Sequence, residues 1–194
     1  TGVTQYEIAT DDTNAIYQYE IVVPLSTGFI GQAADTAGGT TASLGVLMGV
    51  EYVDSSLGKP RFSNYWPGSN NVSVDTNHPV KAFVADNPNQ LFQVASDASL
   101  TDKATAQAAV FANATLGTSA RSGSTSTGRS SSALSVSSIA TTATLGLRIV
   151  GIQDDEANSD YTAAGIPLIV RLNAHFNATT SRYDSQTTAT STGI

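Results

Sequence analysis

Two alternating runs, from Thr141 to Ile152 and from Ile166 to Phe176, constrain most strongly what this chain can fold into. In the first, Ala143, Leu145, Leu147 and Ile149 share one face of an extended strand, while Thr144, Gly146, Arg148 and Val150 share the other. In the second, Leu168, Val170, Leu172, Ala174 and Phe176 oppose Ile169, Arg171, Asn173 and His175. A period of two over such lengths predicts strands with one face turned to a core. Neither run carries catalytic chemistry.

The same reading extends to earlier segments. Tyr17, Tyr19, Ile21 and Val23 alternate with Gln18, Glu20 and Val22 over 16–23, and Pro24 follows where a ladder donor is no longer needed. Ala37-Gly38-Gly39 marks a turn. From Leu44 to Val53 a second strand places Val46, Met48, Val50 and Tyr52 on one side. Turn residues from Asp54 to Gly58 then lead into 61–66, which predicts a hairpin over 44–66 with a connection of about five residues. Val80–Ala85 and Leu91–Ala95 flank Asp86-Asn87-Pro88-Asn89 and predict another hairpin.

The pattern changes between Thr101 and Asn113. Thr101 or Asp102 offers an N-cap, and Leu100, Ala104, Ala108 and Phe111 recur at helical spacing, which predicts one short helix. Residues 117–132 are nearly all Gly, Ser, Thr and Arg. They are too polar to offset their own ordering entropy, so they are expected to form an exposed loop that a neighbour could order. The 194 residues therefore divide into an N-terminal arm (1–15), a single β-rich domain (16–176) and a Ser/Thr-rich C-terminal arm (177–194). The expected fold is mainly β: an antiparallel β-barrel or a jelly-roll-like sandwich with one short helix and extended polar arms and loops.

Only 13% of residues are charged, about half the usual share of soluble domains. Ser and Thr stand where Lys and Glu are common, and such a surface suits contact with other protein. Nine basic residues against sixteen acidic ones, a net charge of -7, argue against a nucleic-acid binder, which needs clustered Lys and Arg. There is no cysteine, so disulfides, thiolate metal sites and Cys nucleophiles are excluded. No apolar run of membrane-spanning length occurs, and the Thr1-Gly2-Val3 start carries no signal-peptide pattern, so neither a membrane nor export by this segment is expected. The missing Met points to a lost initiator or leader.

The motif search yields no catalytic, cofactor or metal site. His78 and His175 belong to no H-x-x-H or H-E-x-x-H pattern, and no G-x-S-x-G elbow occurs. Asp154-Asp155-Glu156, with Asn158 and Asp160, has the charge density of a calcium loop without its D-x-D-x-D-G order, and reads as a solvated turn. Three Asn-x-Ser/Thr sequons, at Asn71, Asn113 and Asn177, are at chance level in so hydroxyl-rich a chain. The aromatic group Phe62, Tyr65 and Trp66 reads first as core packing and second as an interface. Tyr65 and Trp66, with Arg121 and Arg129 of the polar loop, are the candidate partner contacts.

Several segments, taken in order, resemble a family of tailed-bacteriophage virion proteins. Tyr6-Glu7-Ile8-Ala9-Thr10 with Asn14-Ala15-Ile16-Tyr17 is similar to the family's "IAS…ATNIF" segment. Gly45 to Tyr52 is similar to "GVF.G..Y", and Phe62 to Trp66 to "F..YW". Ala82 to Pro88 is similar to "VVDDPDA", and Gly128-Arg129-Ser130 with Thr141 to Ile149 to "GRSG…TTATLPLRVIGL". Asp11-Asp12-Thr13 departs from the family, in which a Gly-Tyr pair is usual. The matches run from residue 6 to 176, and their order is more specific than any one of them.

The resemblance implies a non-enzymatic capsid-associated structural protein of cement or decoration type on the capsid exterior, bound to the major capsid protein and stabilising the mature head; a homo-oligomer is expected, with a trimer favoured if it sits on a local threefold axis. The alternative is a tail or receptor-binding module in which Tyr65, Trp66 and the Asp154–Asp160 loop meet a host glycan.

Overall fold

The computed structural model describes residues 2–33, 42–117, 122–155 and 160–178. Its strands are β1 (Thr4–Ile8), β2 (Ile21–Pro24), β3 (Ile30–Gln32), β4 (Gly45–Asp54), β5 (Lys59–Ser63), β6 (Val80–Ala85), β7 (Phe92–Ala95), β8 (Asn113–Ala114), β9 (Gly123–Ser124), β10 (Arg129–Ser130), β11 (Leu147–Ile152) and β12 (Pro167–Leu172). One helix, α1, spans Lys103–Ala108. Six strands form a sheet in the order β1-β6-β4-β2-β3, with β5 also paired to β4. A second sheet runs β7-β12-β11-β8, and β9 with β10 makes a small hairpin. The fold is mainly β and sandwich-like, with antiparallel sheets and one short helix.

The large sheet is covered on both faces. Toward the second sheet, Ile21, Val23 and Val46 join Leu147, Ile149, Leu168, Val170 and Leu172 in one core. On the far face, Val22, Leu47, Val50, Tyr52, Val80, Ala82 and Val84 meet Ile8, Ile16, Leu44 and Trp66 in a second. Trp66 is fully buried there, edge-on to Tyr52 at 5.7 Å, with its indole N–H donated to the Asp12 carbonyl at 3.2 Å. Burial raises the Tyr52 hydroxyl pKa above its ordinary value.

A β-bulge explains how β4 serves both cores. Leu47 pairs with Val84 and Gly49 with the next residue of β6, Phe83, so Met48 is the extra residue. Past it the side chains exchange faces. Val46 points to the inter-sheet core, whereas Val50 and Tyr52 join Leu47 on the far side. The expected single face of Val46, Met48, Val50 and Tyr52 is therefore split in two.

Other expectations are corrected by where backbone partners lie. The segment 1–15 is not a free arm throughout, because Thr4–Ile8 pairs along β6 with Ile8 opposite Val80. Strand β2 begins at Ile21, later than expected, since Tyr19 adopts a φ of 71° and turns Glu20 inward. The Glu20 carboxylate is buried and accepts from the Tyr17 N–H at 2.6 Å and from Gln32 Nε2 at 2.8 Å. Residues 80–95 do not form a hairpin: β6 belongs to the large sheet and β7 to the other. The fifth strand ends at Ser63, leaving Trp66 in a lone bridge to Ile16.

Helix α1 starts at the Asp102 cap, whose side chain accepts from the Thr105 N–H at 2.7 Å. It buries Ala106 and Ala109, whereas the expected Ala104 and Ala108 are exposed. Both late strands form as expected and pair with each other, Leu147 opposite Leu172, but residues 141–146 lie outside β11. No described helix is long and apolar enough to cross a membrane.

Candidate partner-contact surface

The turn after β4 sets the outer strand of this surface. The Asp54 carboxylate accepts from the Ser56 N–H at 2.9 Å and from Arg61 Nη1 at 3.1 Å. These bonds, led by the Ser56 hydroxyl, hold its pKa below the usual carboxylate range. The result is a tight β4–β5 hairpin whose outer strand is exposed from Lys59 to Phe62. Phe62 is 76% exposed and Leu57, in the turn, 64%. Large apolar side chains left open in this way are candidates for burial against a partner.

Beside β5 lies the Ser/Thr-rich hairpin of β9 and β10, seated on two stacked rings. Tyr17 and Tyr65 lie 5.4 Å apart and nearly parallel. A Cβ at Gly123 would stand 2.3 Å from the Tyr17 ring, and one at Gly128 would stand 2.3 Å from Asn64. Only glycine permits both approaches, and Gly128 also has a φ of 67°. The Gln18 N–H donates to the Gly128 carbonyl and the Ser130 N–H to the Gln18 carbonyl, both at 2.9 Å. Asn64 Nδ2 reaches the Thr127 carbonyl at 2.6 Å. Residues 122–132, expected to await a neighbour, are thus ordered by their own domain.

The four candidate contact residues therefore part company. Tyr65 is half-buried in the stack, and Arg129 is exposed on the hairpin beside it. Trp66 is corrected from contact to core residue, because its flanking backbone is tied to Ile16 by bonds of 2.9 Å in both directions. Arg121 lies outside the described residues, as do the Ala37-Gly38-Gly39 turn and Glu156 and Asn158 of the acidic loop. Phe62, which sequence reasoning grouped with the core aromatics, is the most exposed large apolar side chain among the described residues. Its position between Arg61 and Ser63 on a polar strand was the available signal.

The remaining titratable groups serve local structure. Asp154 pairs with Lys103 and accepts from the Tyr161 hydroxyl. His78 lies on the surface with Nδ1 2.9 Å from Asp75. His175 is buried, its Nδ1 accepting from the Asn177 N–H at 3.1 Å, and desolvation lowers its pKa. Among the described residues no group of three His, Cys, Asp or Glu side chains could hold a metal ion.

The molecule also has a cleft of about 810 Å³ between the two sheets, lined by Ile21, Val46 and Met48 on one wall and Phe92, Val94 and Val170 on the other. Comparison of the chain with family models, curated proteins and solved structures yields no match.

Proposed function

We propose that this chain is a non-enzymatic capsid cement protein, which binds the major capsid protein on the outside of a bacteriophage head and stabilises the mature shell. The observation that carries this reading is the surface around Phe62. An exposed strand that carries Phe62 to solvent stands beside a hydroxyl-rich hairpin that the domain itself holds in place. A surface already ordered does not incur the ordering entropy of a flexible loop when it binds. Covering one Phe contributes about 1.5–3 kcal/mol, and repetition over a lattice multiplies such a contact. By mass action the protein stabilises whichever shell state it binds better.

The ordered segment resemblance from residue 6 to 176 supports the same reading, and seating on a local threefold axis would make the protein a trimer. The tail-module alternative loses one of its elements, since Trp66, which it sets against a sugar, is fully buried. The test is binding to isolated mature heads stripped of this protein. Saturable binding should weaken at least about tenfold in Phe62→Ser, a loss of ~1.4 kcal/mol, with unchanged thermal stability of the free protein. Equal binding of both proteins, or no binding to heads at all, would overturn the proposal.

A further inference from the structure

Strand β7 ends the second sheet, and the lane on its outer side is filled only in part. The Ser96 N–H donates to the Ile166 carbonyl at 3.0 Å. Val94 and Phe92 follow at steps of two in the same register, opposite Leu168 and Val170, so their backbone groups also face β12. Gln93 and Ala95 therefore face away from it. The Ala95 carbonyl accepts from the Leu134 N–H, and the Leu134 carbonyl accepts from the Asp97 N–H, both at 2.8 Å. Leu134 thus occupies the lane from Ala95 onward. Among the described residues, neither the Gln93 N–H nor its carbonyl has a backbone partner.

The vacant part of the lane is the cleft between the sheets. Gln90 to Ala95 border it on one side and Ile21, Val46 and Met48 on the other, and none of its lining residues is Asp, Glu, Lys or Arg. A strand laid beside Gln93 gains both ladder hydrogen bonds and apolar burial, the two contributions that drive strand addition. Two other exposed strands are guarded against it. Strand β1 carries Glu7, and β5 carries Lys59, Pro60 and Arg61; charge and proline discourage pairing at an edge. Phe92–Ala95 has neither.

We infer that the cleft takes an extended, uncharged segment of the major capsid protein, added as a strand beside Gln93; the inference rests on the cement reading. Two observations select this occupant. Ser130, at the end of the hairpin proposed to face the capsid, borders the cleft together with Ser132, so the lane opens from that same surface. A second copy offers no suitable strand among the described residues, since β1 and β5 would carry their charges into an uncharged cleft at a desolvation cost. The vacancy beside Leu91–Val94 is ~13 Å long, the run of about four extended residues.

The test is amide hydrogen exchange of the whole chain, free and bound to isolated mature heads stripped of it. Strand addition predicts that the Gln93 amide exchanges at least about tenfold more slowly on the heads. Gln93→Pro removes that donor. Because the donor faces away from β12, the free variant should keep its thermal stability, while its binding to heads weakens at least about fivefold. Bound protein with slowed exchange in 122–132 but unchanged exchange at Gln93, or full binding by Gln93→Pro, would overturn the inference and leave the cement reading standing. Protection of Gln93 that grows with concentration in the free protein would overturn it by assigning the lane to a second copy. No binding to heads would overturn both.

Discussion

The two faces of the large sheet are built from the same strands yet finished differently. On the far face, Ile8, Ile16, Leu47, Val80 and Trp66 interlock with Val50 and Tyr52, and the loops carrying Ile16 and Trp66 lie directly over the sheet. On the inter-sheet face, Ile21, Val23 and Val46 meet the second sheet in a core that leaves the 810 Å³ cleft beside it. The bulge at Met48 divides these outcomes, since it sends Val50 and Tyr52 to the first face and leaves Met48 at the cleft. A single extra residue thus places Val50 and Tyr52 in the core opposite to that of Val46 and leaves Met48 facing the cleft. The two glycines under the hairpin act similarly on a smaller scale, by allowing a polar segment to lie on aromatic rings.

The comparison breaks most severely at Trp66. Trp66→Ala removes the largest buried side chain of the closed face, and an expected loss of about 3–5 kcal/mol is read by urea denaturation. The bulge is probed by neighbours. Leu47→Ala should cost about 2–5 kcal/mol, whereas Met48→Ala, at the open cleft, should cost less than ~1 kcal/mol; equal losses would mean the faces do not differ as described. Gly128→Ala forces a Cβ into Asn64 at a left-handed backbone position and should cost about 1–3 kcal/mol. Its effect should appear as faster exchange of 122–131 and loss of tyrosine near-ultraviolet dichroism. Asp102→Ala removes the helix cap, away from both faces, for about 1 kcal/mol.

The pH response is smaller still and has a definite sign. Burial lowers the His175 pKa in the folded state below 6.5, so on acidification the unfolded chain takes up the proton first. This site therefore favours folding fully above the unfolded value, and the contribution is lost as pH falls from there through the folded value. Stability measured between pH 8 and 5 should decline, and His175→Gln should flatten that slope.

Much of the β architecture was legible because alternation survives wherever strands run straight: Leu168, Val170 and Leu172 all face the core as their spacing requires. Legibility failed where the backbone departs from a simple period. Within Gly45–Tyr52 the single strand-interior Gly49 was the one hint of a bulge, and a parity assigned before Met48 is reversed after it. The edge strand β1 carries only Tyr6 and Ile8 as inward signals, too few to distinguish it from a polar arm. The split of β6 and β7 between sheets depends on distant partners, β4 and β12, which the local Asn-Pro turn does not encode. At the surface, the Ser/Thr composition of 122–132 concealed the glycines that fit it to Tyr17 and Asn64.

The most direct measurement is the number and position of copies of this chain on purified phage particles, by quantitative mass spectrometry together with density on the head. The cement reading predicts copies approaching those of the major capsid protein, spread over the shell, with the Phe62 strand and the 122–132 hairpin turned toward capsid subunits. A few copies confined to the tail or to one vertex, or the chain's absence from the particle, would contradict it.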